Sequence, residues 1–297
     1  MSALLLATNL FFLLLWIRLW RLAEHEFHFN PLLSAPTRLT DRIVEFLRPV
    51  LVGLPPRAIT AVTLLFLLAF RGILLGSLGR DWIIAIGSSY ARALPVGDWT
   101  GCILFSLTEF IVFLIRLWGL AFLVALMTPV PRNDRLTQAF RCFTLPFSLL
   151  PRLSMAPAIL LLNALLVLHL QHTGRTFAGS LSHGLPAIAA TVDWHAPLRA
   201  AIGLSWLTGL ALADIFLAAY GAMMGVVFAS LFALVTQNRG LQMLANEAVR
   251  FLLGGFSRRP LMIGMIDLTP LAYFFVMNML HIASTNLLRG LITAPWN

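Results

Sequence analysis

Glu109, Arg116 and Asp214 stand inside long apolar stretches of the chain. A charged side chain at the centre of a bilayer costs ~2.5–3.5 kcal/mol on insertion scales, so such groups face the interior of a helix bundle and pair there. Glu109 and Arg116 share one helical face, but a seven-residue step separates them by ~10 Å along the axis, too far for direct contact. Each therefore needs a polar group on another helix, and Asp214 is a candidate for Arg116. Two chemistries are open. One is a structural ion pair; the other is a path for an ion, to which Asn163 and Asn278 are the obvious polar additions.

Asp267 lies just before Thr269-Pro270 at the start of an apolar stretch. A carboxylate there accepts backbone N–H groups and suits the positive end of a helix dipole, and proline in the first turn forfeits nothing. The alternative is that its charge pairs with Arg258 or Arg259 at an ion or partner site. Five of the seven histidines, His169, His172, His183, His195 and His281, fall toward one side of the expected membrane, with His25 and His28 on the other. A metal or haem would need two or more converging ligands; histidines hydrogen-bonded to backbone or water are the plainer reading. Cys102 and Cys142 form no CxxC pair, and Cys142 beside Arg141 is one thiol near one cation. The chain has no phosphate-binding glycine loop, nucleophile elbow or H-E-x-x-H. The expectation is a protein that is not an enzyme and that carries no metal or cofactor.

The elements that hold these residues are apolar helices. Of 297 residues 59% are hydrophobic and 11% charged, and the mean hydropathy is +0.87. Soluble domains are nearer a quarter charged, and a membrane-spanning helix needs ~20 apolar residues. Six stretches qualify, at roughly 3–22, 57–78, 103–127, 154–171, 205–236 and 265–288. The first lacks a basic n-region and a small-residue cleavage site, so it reads as a retained span. The fifth is over-long, which predicts a tilt or an interfacial turn near Leu204. The net charge is +9, with Arg for all 21 basic residues. These arginines cluster in alternate connectors, 1–2, 3–4 and 5–6, which marks membrane topology rather than nucleic-acid binding. The rich connectors are then cytoplasmic and both termini lie outside.

The chain also repeats. Ile17-Arg18-Leu19-Trp20 recurs as Ile115-Arg116-Leu117-Trp118, and Arg38-Leu39-Thr40 recurs as Arg135-Leu136-Thr137. Leu39, Leu136 and Leu244 anchor three similar connectors, with Phe46, Phe143 and Phe251 each seven residues on. The expected fold is an all-α membrane protein of about six transmembrane helices in three parallel two-helix repeats, 1–95, 96–190 and 191–297, with amphipathic cytoplasmic connectors. In the first connector Leu39, Ile43, Phe46, Leu47 and Val50 share a face, and Arg38, Asp41, Arg42, Glu45 and Arg48 lie opposite. Such a helix lies in the headgroup layer with its arginines toward phosphates, or it packs on its own bundle. Arg18 and Arg116 are expected to play equivalent roles, each reaching a carboxylate, a helix C-terminal carbonyl or a lipid phosphate.

These motifs resemble the YggT (also called YlmG) family of small bacterial and plastid membrane proteins. The first unit carries Arg18-Leu19-Trp20, Phe29-Asn30-Pro31, Thr40-Asp41 and Leu47-Arg48-Pro49, and the last carries Arg258-Arg259-Pro260 and Ile266-Asp267-Leu268-Thr269-Pro270. The family has Ser where Thr269 stands and two units rather than three. The resemblance implies a bacterial inner-membrane, multi-pass protein, in which the outer termini expected from the arginines are periplasmic, and it adds Asn30 and Pro31 to the residues of interest. Relatives are linked to osmotic stress and cation uptake, cell division or nucleoid organisation, and cytochrome maturation. The functional expectation is a protein that assembles with or organises another membrane complex. A channel or transport accessory is the alternative, and a cofactor-bearing subunit is a weaker one. The expected partners are membrane lipid and other membrane protein subunits, with no nucleic acid and no soluble substrate.

Overall fold

The computed structural model describes residues 3–20, 31–51, 53–78, 83–86, 90–93, 99–128, 135–173, 197–258, 260–263 and 266–293. The helices are α1 (Ala3–Leu19), α2 (Pro31–Leu47), α3 (Pro56–Ser77), α4 (Trp99–Met127), α5 (Arg135–Phe143), α6 (Arg152–Thr173), α7 (Pro197–Val235), α8 (Arg239–Leu253) and α9 (Thr269–Thr293). Five of them, α3, α4, α6, α7 and α9, are long and apolar enough to cross a membrane, the architecture of a multi-pass membrane protein. The first expected span is a shorter apolar helix. The 17 residues of α1 reach ~26 Å at 1.5 Å per residue, against ~30 Å of hydrocarbon.

Prolines punctuate the helices where the sequence places them. α2 opens at Pro31, earlier than the amphipathic pattern from Leu39 implied, and stops short of Pro49. Proline at a first helical position gives up an N–H that would be unpaired anyway. α3 likewise opens at Pro56 behind the extended Pro55. α8 is capped by Asn238, whose side chain accepts the N–H of Leu241 at 3.1 Å, and closes on Gly254 at φ 52°, a left-handed value that favours glycine.

Three features refine the sequence reading. α7 is one unbroken helix of 39 residues, with no interfacial turn near Leu204. Its apolar residues, from Ala200 onward, carry no Pro and no Gly-Pro break, so the ladder has no reason to stop. The connectors also hold two short antiparallel hairpins, so the fold is helical with a little sheet. β1 (Ile83–Ile86) pairs with β2 (Tyr90–Ala93), and β3 (Met262–Ile263) pairs with β4 (Ile266–Asp267). Ile83-Ile84-Ala85-Ile86 is rich in β-branched side chains and is followed by Gly-Ser-Ser, which is strand and turn chemistry. Finally, Phe46 is not on the buried face of α2. Thr40 and Val44 are buried there, while Phe46 is 81% exposed. Phe251, its counterpart in the third connector, is 9% exposed.

The chain forms two compact units. The first contains α1, α2, α3, the first part of α4 to Leu114, and α5; the second contains α4 from Ile115 and the chain from Pro151 onward, with the β1–β2 hairpin. In the first unit α3 and α4 approach closely at Gly72, where a Cβ would lie 2.6 Å from the Ile103 Cα. In the second, α4 passes α7 at Gly119, where a Cβ would lie 2.5 Å from Ile215 Cγ1.

Candidate functional site

In the first unit, α1, α3 and α4 converge on a buried polar cluster. Arg71 of α3 is 5% exposed, Asn9 of α1 0%, and Glu109 and Ser106 of α4 8% and 0%. The guanidinium has five N–H groups, and all of them are engaged. Nε donates to Ser106 Oγ at 2.8 Å. Nη1 donates to Thr8 Oγ1 at 3.1 Å and to Asn9 Oδ1 at 2.6 Å. Nη2 donates to the Ser106 carbonyl at 2.6 Å and faces Glu109 Oε2 at 3.3 Å. Asn9 closes the ring, its Nδ2 donating to Glu109 Oε1 and Oε2 at 3.1 and 2.9 Å. Ser106 Oγ–H donates to the Leu68 carbonyl at 2.7 Å. The ring of Phe12 lies under the guanidinium, 4.9 Å from centroid to Cζ.

Glu109 thus meets polar groups on two other helices. Neither partner was picked out from the sequence. The signal for Arg71 was a lone Arg between Phe70 and Gly72 in an apolar stretch, and for Asn9 a lone amide in another. Asn163, one of the polar additions considered for an ion path, instead donates to the Ile159 carbonyl of its own helix at 2.8 Å.

Arg18 and Arg116 each reach a carboxylate. Arg18, in the last turn of α1, pairs with Asp41 of α2. Arg116 Nη2 donates to Asp214 Oδ2 of α7 at 2.8 Å, with the Asp214 side chain 4% exposed and that of Arg116 30%. One residue before Asp214, the Ala213 carbonyl accepts a bond from His281 Nδ1 of α9 at 3.0 Å. A carbonyl only accepts, so Nδ1 is the donor of this bond. Among the described residues no three of His, Cys, Asp and Glu gather as a metal site. His25, His28, His183, His195 and Asn30 lie outside the described residues, and Pro31 is the first residue of α2.

Asp267 ends the β3–β4 hairpin, and its Oδ1 accepts the Thr269 N–H at 2.9 Å, the bond of a capping aspartate. Thr269 Oγ1 in turn accepts the N–H of Leu261 at 2.8 Å, tying the hairpin to the first turn of α9. The Thr269 hydroxyl, then its backbone N–H, hold the Asp267 carboxyl below the ordinary carboxylate range.

What these groups can do chemically follows from their closure. The Arg71–Glu109 pair is net neutral, its donors are used up, and its acceptors bind three helices together. Such a buried pair is a clamp that fixes register, because removing either member strands the other. Arg116–Asp214 ties α4 to α7 in the same way. No protein-family model, curated protein or solved structure matches the chain.

Proposed function

We propose that this chain is a non-enzymatic membrane protein of the YggT type that assembles with, or organises, another membrane protein complex. The supporting observation is α7. Its 39 residues extend ~58 Å, nearly twice the ~30 Å hydrocarbon core. Even at a 40° tilt, near the limit for membrane helices, it rises ~45 Å. Yet only 11% of its most apolar stretch is buried, and Phe228, Leu231, Phe232, Leu234 and Val235 at its end are all more than half exposed. There is more apolar helix than a bilayer covers, and apolar surface beyond the lipid calls for protein. In this reading α1 is the sixth span, held by the polar cluster despite its length. The helices α2, α5 and α8 mark three parallel units with cytoplasmic connectors, and the protein sits in the bacterial inner membrane with periplasmic termini.

The test is site-specific photo-crosslinking of the full chain in native membranes. A photoreactive residue at Phe232 or Val235 should give a discrete protein adduct, whereas one at Leu65, 58% exposed on α3, should give lipid adducts. Lipid adducts alone at all three positions would sink the proposal.

The buried Asn9–Arg71–Glu109 group favours a second reading, a channel or transport accessory in ion or osmotic homeostasis. Its closed hydrogen bonding weighs toward a clamp. Cation flux in proteoliposomes that is abolished by Glu109→Gln, with folding retained, would decide for transport.

A further inference from the structure

The first connector is tied at both ends to apolar helices. Asp41 of α2 is paired with Arg18 in the last turn of the apolar α1, and the membrane-length helix α3 begins at Pro56, six residues after Val50. Six residues extend at most ~20 Å. α2 buries Thr40 and Val44 against its own unit. Away from that stripe stand Arg38, Arg42 and Phe46, each one turn after the last, followed by Arg48 and Val50 in the turn, all exposed. Phe46 and Val50 are 81% and 78% exposed. Asp41 is neutralised by Arg18, so Glu45 is the one carboxylate on α2 left to oppose three arginines.

From this placement we infer that the outward face of α2 is a binding surface for the anionic headgroups of the surrounding phospholipid. The three guanidinium groups contact headgroup phosphates, while Phe46 and Val50 enter the acyl boundary below them. Charge complementarity selects the lipid. Cationic side chains near an anionic leaflet each gain from its negative surface potential, and Arg forms paired hydrogen bonds to phosphate that Lys does not. An aromatic and an aliphatic side chain next to those cations add the apolar half of an interfacial anchor. Neither half depends on what α7 contacts, so the inference stands or falls apart from the assembly proposal.

The full chain carrying a nitroxide at Phe46→Cys tests this, since the native Cys102 and Cys142 are buried. It is reconstituted in vesicles of phosphatidylcholine alone or with one part in three phosphatidylglycerol, and the label's access to oxygen and to a water-soluble nickel complex is compared. The label should be immersed, with oxygen favoured over nickel, in the anionic vesicles, and markedly less so in phosphatidylcholine. Arg38→Gln/Arg42→Gln/Arg48→Gln should erase that difference, and 0.5 M salt should reduce it. A second label at Leu65 should be immersed in every case and reports that the variants still fold into the bilayer. A Phe46 label open to nickel in both lipids overturns the inference, because the face is then in water. Equal immersion in both lipids overturns it too, because headgroup charge is then irrelevant. A label shielded from both probes shows a protein contact and does the same.

Discussion

Arg71 is the residue on which the first unit turns, because its five donors join α3 to two other helices, α1 and α4. Arg71→Leu leaves Glu109 charged and buried, and Glu109→Leu does the converse. Each should lower stability in detergent by ~3 kcal/mol, seen as a fall in Tm. The double variant should recover much of that loss, since no unpaired charge remains; a fully additive double variant would show that the two residues do not act as a pair. Arg71→Lys should resemble Arg71→Leu more than wild type, because one ammonium cannot serve Ser106, Thr8, Asn9 and Glu109 together. Asp267 is a different case. Its folded pKa is depressed, so its contribution is complete above the unfolded value of ~3.9 and disappears as pH falls through the lower folded value. At neutral pH Asp267→Ala should be modestly destabilising and Asp267→Asn less so, and the Ala deficit should shrink in acid. An Asn variant as unstable as Ala would assign the charge itself a role.

At the scale of helices the glycines separate contacts that can yield from contacts that cannot. A methyl at Gly72 meets the backbone of α4, whereas one at Gly119 meets the side chain of Ile215, and one at Gly221 meets open space. Gly72→Ala should therefore cost ~1–3 kcal/mol by forcing α3 and α4 apart, Gly119→Ala less, and Gly221→Ala nothing or a gain of up to ~1 kcal/mol from helix propensity. Thermal melts of the three variants give the ranking directly, and a Gly221→Ala variant as unstable as Gly72→Ala would contradict these helix contacts. The helices themselves were legible, since runs such as 57–78 and 103–127 announce themselves by composition, and Pro49 and Pro56 mark ends. The pairing of Arg116 with Asp214 was legible because both charges were stranded in apolar surroundings. Arg71 and Asn9 obeyed the same rule and were overlooked among long runs of Leu and Phe. The β hairpins were hidden by their length, since four residues of Ile-Ile-Ala-Ile do not distinguish a strand from a helix end. The outward turn of Phe46 was hidden because periodicity locates an apolar face without saying which part of it meets protein.

For the whole molecule, the proposed topology puts both chain ends on the outer side. A cysteine introduced at Ser2 or Asn297 should react with a membrane-impermeant reagent in intact cells, and protection of both would reverse or break the arrangement. The polar cluster also bears on how the protein is made. Arg71 leaves the ribosome ~40 residues ahead of Glu109, an interval of several seconds at ~5–20 residues per second. Throughout that interval the cation of α3 exists with its carboxylate not yet synthesised. Thr8 and Asn9 of α1 already exist by then, and in the finished protein they accept both hydrogens of Nη1. The acceptors of Nη1 thus precede Arg71 in the chain, while Glu109 follows it and is joined to them through the Asn9 amide.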